Sequence, residues 1–321
     1  MKYLVKKSVS VSLLVLPLLL GLQPEALGCT LWAAAGSRVA GGGVLAAKNR
    51  DMDPDHRQEL RLVRPREGFR YLGLVAVDCE EPGVKAGINE KGLVIMDAAA
   101  SCIPEAKQDQ RPGVEHLNEK ILAACADVDA VLRRRLMFLA PAFYLVADRS
   151  RAVLLEVSLE GKVSVHSLTQ GTLTHTNQYL EAEFQVCNEK VSRSSRVRLE
   201  RIRSLLSRGP RGLTLQGFIA ISGDQHDGPD RSIWRTGSNP EKVRTLASWI
   251  VSLPPGGAPL LYVKLANPGE PLTSRQWRLD ESFWARAKSP GTSLALFSKH
   301  LGWPPPKDVY TEGKHRRVQD P

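Results

Sequence analysis

Residues 26–51 read ALGCTLWAAAGSRVAGGGVLAAKNRD. Two short apolar runs, 30–35 and 44–48, flank three consecutive glycines, Gly41, Gly42 and Gly43. Apolar segments of strand length on either side of a glycine cluster predict a hairpin turn. A phosphate-binding loop would need Gly-Lys-Ser/Thr after the glycines, and none follows. The second run passes into a dense polar stretch, Asn49-Arg50-Asp51-Met52-Asp53, which a solvated turn after a strand would also explain. The first run begins at Cys29, and the residues before it decide how that cysteine is read.

Lys2, Lys6 and Lys7 open the chain, and residues 9–22 are apolar except for Ser10, Ser12, Pro17 and Gly21. Ala26-Leu27-Gly28 then supplies small residues in front of Cys29. A basic start, a short apolar core and an A-x-G end predict a secretory signal peptide over residues 1–28. The apolar run is shorter than the roughly 20 residues that span a bilayer, and no second long run follows. A retained membrane anchor is the competing reading. Export to a bacterial periplasm or the medium is expected, with no stable membrane insertion after cleavage. Cleavage after Gly28 would put Cys29 at the mature N-terminus, where two chemistries use a cysteine. Ala26-Leu27-Gly28-Cys29 loosely resembles a bacterial lipoprotein signal, which implies an acylated sulfur and a lipid-anchored binding protein without activity. The other chemistry is nucleophilic catalysis in which the chain's own α-amino group is the base. The two exclude each other.

The 321 residues, 42% hydrophobic and 24% charged, exclude a disordered chain. Five cysteines are too few for a disulfide scaffold, and the odd number leaves one thiol unpaired in a monomer. The formal charge of +10 falls by two units if the leader, with three lysines and Glu25, is removed. Much of the rest is assigned to Arg198, Arg201, Arg203 and Arg208, placed on the outer face of a helix predicted over residues 194–207. Nucleic-acid binding would want aromatic platforms or a reading motif beside those arginines, and neither is present. Cys79, Cys102, Cys125 and Cys187 form no C-x-x-C, and the seven histidines form no H-E-x-x-H, so no metal or other cofactor is expected.

Strand patterns continue at Leu60, Leu62 and Val63 and over residues 72–77, 92–96, 143–147, 152–157, 163–168, 173–176, 245–253 and 260–265. One helix is predicted over residues 116–133 from Leu117, Ile121, Leu122, Cys125 and Val128. The second, over 194–207, has a stripe of Leu199, Ile202, Leu205 and Leu206, Ser194 or Ser195 as its cap, and Gly209-Pro210 as its end. The expected class is α+β with mainly antiparallel sheets. The expected organisation is one domain over 29–303 followed by a Pro-rich basic tail over 304–321.

Six short motifs occur in order: Gly28-Cys29-Thr30-Leu31-Trp32, Lys48-Asn49-Arg50-Asp51, Gly87-Ile88-Asn89-Glu90-Lys91-Gly92-Leu93, Thr174-His175-Thr176-Asn177, Ser194-Ser195-Arg196, and Asp224-Gln225-His226 with Ser232-Ile233-Trp234-Arg235. Together they resemble the acyl-coenzyme A:6-aminopenicillanic acid acyltransferase family of N-terminal-nucleophile hydrolases, and more distantly the bile-salt hydrolase and penicillin V acylase family. The resemblance implies a four-layer αββα sandwich and cleavage of a linear amide in a small acyl compound through a thioester, with acyl transfer where an amine replaces water. It implies Cys29 as nucleophile, Asp51 on the α-amino group, and Asn177 as oxyanion donor. Lys48 would be the cation beside the thiol and Arg196 the bracing arginine, with Arg198 its rival. A free thiol titrates near pH 8.5 and an α-amino group near 7.7, so the two can exchange a proton without a histidine. Departures are the lack of a second oxyanion asparagine after Gly92, and Trp234 where the acyltransferase relatives tend to carry cysteine.

Overall fold

A computed structural model describes residues 28–79, 82–209 and 212–296. The expected leader (apart from Gly28) and tail lie outside them. Fourteen strands among the described residues form two sheets, and every strand pair is antiparallel. In the smaller sheet, β1 (Gly28–Ala35) and β2 (Val44–Met52) sit centrally in the order β10-β1-β2-β11-β12-β13. The partners are β10 (Gly171–His175), β11 (Arg244–Leu253), β12 (Leu260–Leu265) and β13 (Thr273–Arg278). The larger sheet is built from β3 (Arg57–Arg64), β4 (Tyr71–Val77), β5 (Gly83–Asn89), β6 (Val94–Ala99), β7 (Ala142–Ala147), β8 (Ala152–Val157), β9 (Val163–Leu168) and β14 (Thr292–Ala295). Its order is β14-β3-β4-β5-β6-β7-β8-β9.

Short helices α1 (Glu105–Gln108), α2 (Leu117–Ala124) and α3 (Val128–Arg133) follow β6, whereas α4 (Arg193–Arg208) and α5 (Leu215–Ser222) follow β10 and α6 (Glu281–Trp284) precedes β14. Strand alternation sorts the apolar side chains into three cores. Leu31, Ala33, Val44 and Ala46 meet Leu72, Ile88, Met96 and Leu145 between the sheets. Trp32, Ala34, Leu45 and Ala47 pack under α4 and α5 through Ile202, Leu206 and Phe218. On the far side Val84, Ile95 and Val146 pack under α2 and α3 through Ile121, Leu122 and Val131. The layers are therefore helix, sheet, sheet, helix, the αββα sandwich that the motifs implied.

The glycine run makes the β1–β2 turn as expected. Gly41, Gly42 and Gly43 all have φ near +80°, where L side chains are strained. At Gly43 a Cβ would also collide with the Leu253 carbonyl. The helix expected over 116–133 is two helices. Cys125 is extended, and the Asp127 side chain accepts from Ala130 N and starts α3. The start of α4 also shifts, because Ser192 rather than Ser194 or Ser195 is its cap, accepting from Ser195 N. Five strands or helices of consequence, β5, β13, β14, α5 and α6, lay outside the expected set.

Candidate active site

β1 and β2 run side by side with Gly28 opposite Asp51, Cys29 opposite Arg50 and Leu31 opposite Lys48. Residues opposite each other project to the same face. Cys29, Arg50 and Lys48 thus face the core between the sheets, and Thr30, Asn49 and Asp51 face α4 and α5. The competing reading of residues 49–53 as a solvated turn does not hold at Asn49, Arg50 and Asp51, which are, with Lys48 before them, at most 4% exposed.

The nitrogen of Cys29 is held by side chains. The β1–β10 register runs to Leu31 opposite His175, so Cys29 falls opposite Asn177, where the ladder ends. There Cys29 N–H donates to Asn177 Oδ1 at 3.1 Å, replacing the missing backbone bond. Asn177 Oδ1 also accepts from Arg198 Nη2 at 3.0 Å, while its Nδ2 donates to the Ala99 carbonyl at 2.9 Å. Two donors on one side and an acceptor on the other fix the orientation of this amide. Asn177 is at Cys29 as expected, yet its NH₂ is committed to Ala99. In this structure its Oδ1 accepts from the Cys29 nitrogen and its NH₂ faces Ala99.

Arg198, not Arg196, braces this end of β1. Its Nη1 donates to the Cys29 carbonyl and to Thr30 Oγ1, both at 2.8 Å, and its Nε donates to Ser194 Oγ at 3.3 Å. Arg198 is 1% exposed, which corrects its expected place on the outer helix face. Arg196 is exposed and donates to the Val191 carbonyl. Arg201 is only partly exposed and forms a two-bond pair with Asp224. The guanidinium of Arg198 also crowds Gly28: a Cβ there would stand 2.5 Å from Nη2 and 3.1 Å from Asn177 Oδ1. Residue 28 must be very small for Arg198 to keep its grip.

Asp51 lies opposite Gly28 and is wholly buried. Its Oδ1 accepts from Thr245 Oγ1 at 2.7 Å, and that hydroxyl accepts from Arg235 N at 2.8 Å. A bulge between Thr245 and Ala247 lies beside the Asp51–Thr245 pair. Asp51 Oδ2 accepts no hydrogen bond among the described residues, although Arg198 and Arg235 Nη1 lie 3.8 and 3.7 Å away. Burial pushes the Asp51 carboxyl above the usual range, and the two arginines oppose that rise.

Lys48 crosses to the other sheet. The residue is 1% exposed, and its Nζ donates to Asp97 Oδ1 at 2.7 Å, the Asp97 carbonyl at 2.6 Å and the Lys85 carbonyl at 2.8 Å. All three of its donors are occupied, and the residue opposite Cys29 is Arg50 rather than Lys48. Burial pushes Asp97 up, but Lys48, Lys85 and Arg50 outweigh it, so Asp97 sits below the usual carboxylate range. Its contribution to stability is therefore full above the ordinary value and is lost as pH falls through the lowered one. Melting temperatures from pH 6 to pH 2 should fall over that acid limb, and Lys48→Met should flatten the fall due to Asp97. An unchanged acid limb in the variant would show that Lys48 is not what holds Asp97 ionised.

Other motif residues are structural. Asn89 bonds the carbonyls of Leu122 and Cys125 through Nδ2 and the amides of Lys91 and Leu93 through Oδ1, tying the β5–β6 turn to the end of α2. Asn49 ties β2 to the carbonyls of Ser222 and Ile233 and accepts from Ser248. His175 Nδ1 faces the Thr176 carbonyl, which only accepts, so that nitrogen carries a proton; Nε2 meets Glu156 Oε1 at 3.0 Å. This pair ties β10 to β8 across the sandwich just before Asn177. Trp234 packs under Lys264, whose Nζ is 3.7 Å from the ring centre. All five cysteines are unbridged, and burial pushes the Cys102 thiol up to about 12, which leaves it inert near neutral pH. A cleft of about 420 Å³ beside β8–β10, lined by Glu156, His166, Thr174 and Arg203 among others, shares no residue with the Cys29 surroundings.

Two facing antiparallel sheets covered by helices on both sides make the αββα sandwich of the N-terminal-nucleophile hydrolases. Solved structures agree: two variants of the conjugated bile acid hydrolase from Clostridium perfringens superpose on this chain. One is 12% identical, covers 83% of this chain and 96% of that one, and has a TM-score of 0.52. The other is 13% identical, covers 78% and 92%, and has a TM-score of 0.50. At such identity the likeness shows the fold. Residues 39–270, a stretch that starts after Cys29, match the acyl-coenzyme A:6-aminopenicillanic acid acyl-transferase family. The chain belongs to that family of hydrolases and acyltransferases. No curated protein sequence matches it.

Proposed function

We propose that this protein is an exported amidohydrolase whose nucleophile is the thiol of Cys29, freed at the N-terminus by loss of residues 1–28. The observation that carries the reading is the setting of the Cys29 nitrogen. It is bonded to Asn177 Oδ1, and Asp51, opposite Gly28 on the neighbouring strand, has a buried oxygen that accepts no hydrogen bond among the described residues. An α-ammonium at Cys29 would bring extra N–H donors and a positive charge to that spot, which is what a buried, unmatched carboxylate oxygen lacks. Arg198 holds the Cys29 carbonyl and fixes the residue against the pull of the reaction.

The α-amino group takes the thiol proton as Cys29 attacks the amide carbonyl, then delivers it to the leaving amine. Water resolves the thioester by the same route; an amine in place of water gives acyl transfer. The substrate is a small-molecule linear acyl amide. The wholly buried Asp51 has no room to act on substrate and serves to place the α-amino group.

Two preparations test this: one whose chain starts at Cys29, and one that keeps Gly28 with an acetylated end. The intact mass of protein from an export-competent host should equal residues 29–321, and only the form starting at Cys29 should turn over a library of acyl amides. Equal turnover by the acetylated form would defeat the α-amino mechanism. An added diacylglyceryl group would make the protein a lipid-anchored one with a blocked sulfur.

A further inference from the structure

The face of the sheet that carries the Cys29 thiol holds donors for which the described residues provide no acceptor. Arg50 stands directly opposite Cys29, points the same way and is 4% exposed. Among the described residues its one side-chain hydrogen bond is from Nε to Gln58 Oε1, at 2.8 Å. Both Nη nitrogens are left over. Because Oε1 of Gln58 faces that Nε, the other end of its amide is fixed as Nε2, and Nε2 is fully buried with no partner among the described residues. Gln58 is 1% exposed, and Asn267 holds its backbone by accepting from Gln58 N and donating to Gln58 O, each at 2.9 Å.

The acids nearby are already committed. Asp97 is taken by Lys48, with Asn118 on its other oxygen, and Asp51 is on the opposite face of the sheet with Thr245, Arg198 and Arg235. A guanidinium with two free nitrogens and an adjacent unpaired amide N–H are matched by a planar, two-oxygen anion, which a guanidinium binds through parallel bonds. Leaving Gln58 Nε2 buried and unpaired is unfavourable, so a ligand that reaches it beside the Arg50 fork gains what the folded chain leaves unmet.

We infer that Arg50 and Gln58 form a carboxylate subsite beside the Cys29 thiol, and that the acyl amides this protein takes carry a carboxylate close to the scissile bond. This rests on the proposed reaction at Cys29. The amine half is then an amino acid or similar acid, such as the glycine of an N-acylglycine. Reactions that join a fatty or aromatic acyl group to an amino acid would supply the substrate.

The probes are N-acylglycines with acetyl, decanoyl, palmitoyl and phenylacetyl groups, each beside its neutral glycinamide. Affinity is measured by calorimetry on the full chain carrying Cys29→Ala, so that the subsite is read whether or not the chain cleaves amides. The best acylglycine should bind at least about tenfold tighter than its glycinamide. Arg50→Gln should bring the two within about twofold. Arg50→Lys, which keeps the charge but not the fork, should keep part of the preference. Gln58→Glu keeps an acceptor for Arg50 Nε and puts a carboxylate in the subsite itself, so it should remove the preference in a chain that still folds. In the wild type the same preference should appear in KM. A preference that stands in a chain without turnover supports the subsite and removes only the amidase reading. The inference is overturned if no acylglycine outbinds its amide. It is equally overturned if Arg50→Gln lowers kcat alike on both members of a pair with binding unchanged, because Arg50 would then serve the transient oxyanion instead.

Discussion

Replacing Cys29 by alanine should lower kcat on amide substrates by about 10³-fold or more, the scale seen when a covalent nucleophile is removed. The fold survives, since alanine fits the small apolar position beside Leu31 and the loss of one buried sulfur is worth about 1 kcal/mol. Serine is the sharper test. Its hydroxyl has nearly the shape of the thiol but is far less acidic, so in a site built around a thiol it is a much weaker nucleophile near neutral pH. Cys29→Ser should therefore also fall steeply while its melting temperature stays within a few degrees. With the wild type, mass spectrometry of the quenched reaction should find the acyl group on the peptide that begins at Cys29. Turnover above about a tenth of wild type in both variants would move the nucleophile elsewhere.

Much of the sandwich is legible in the sequence because its central strands are short, apolar and separated by turn residues. The hairpin around Gly43 is one such case, and β7 to β9 with their Asp-Arg-Ser-Arg and Glu-Gly-Lys turns are another. The merged helix over 116–133 shows where periodicity misleads. Leu117, Ile121 and Leu122 of α2 and Val128 and Val131 of α3 all pack on one face of one sheet, so the apolar pattern continues across the break. The break itself was signalled by Asp127, a good cap three residues before Ala130. Strands β13 and β14 were hidden for a different reason: most of their residues are exposed, so no buried face imposes an alternation.

The site was half legible for equally physical reasons. Cys29, Asp51 and Asn177 come together as the motifs implied. The difference between Arg196 and Arg198 is one of helix geometry. At 100° per residue Arg198 lies about 40° from Ile202, the middle of the buried stripe, and Arg196 about 120° from it. A wheel centred on Leu199, Ile202 and Leu206 would have turned Arg198 inward. Period-two alternation likewise puts Lys48 and Arg50 on one face of β2 and Asn49 and Asp51 on the other. Gln58 had no local signal. Its meaning depends on Arg50, which reaches it from the other sheet, and a pairing between sheets is not written in either strand.

Arg198→Met should destabilise the folded chain by about 3–5 kcal/mol, because it strips a partner from a buried carboxylate. It also removes the donors to the Cys29 carbonyl, Thr30 and Asn177, so activity should fall with it. Arg235, 3.7 Å from the same Asp51 oxygen, remains and should hold the loss toward the lower figure. Arg196→Met, two residues away and exposed, should change stability by less than about 0.5 kcal/mol. The cost at Arg198 should also depend on pH. Burial already raises the Asp51 pKa above its ordinary 3.8, and losing Arg198 raises it further. A carboxyl with a raised folded pKa stabilises the fold fully below its unfolded value and loses that contribution as pH rises through the folded one. Urea unfolding of Arg198→Met should thus show a smaller deficit at pH 4 than at pH 7. Asp51→Asn, which removes the charge in need of a partner, should make Arg198→Met cheaper than the sum of the two single changes. Strict additivity, with a deficit that does not change with pH, would mean that Arg198 holds β1 by its hydrogen bonds alone and that the charge of Asp51 is balanced by Arg235.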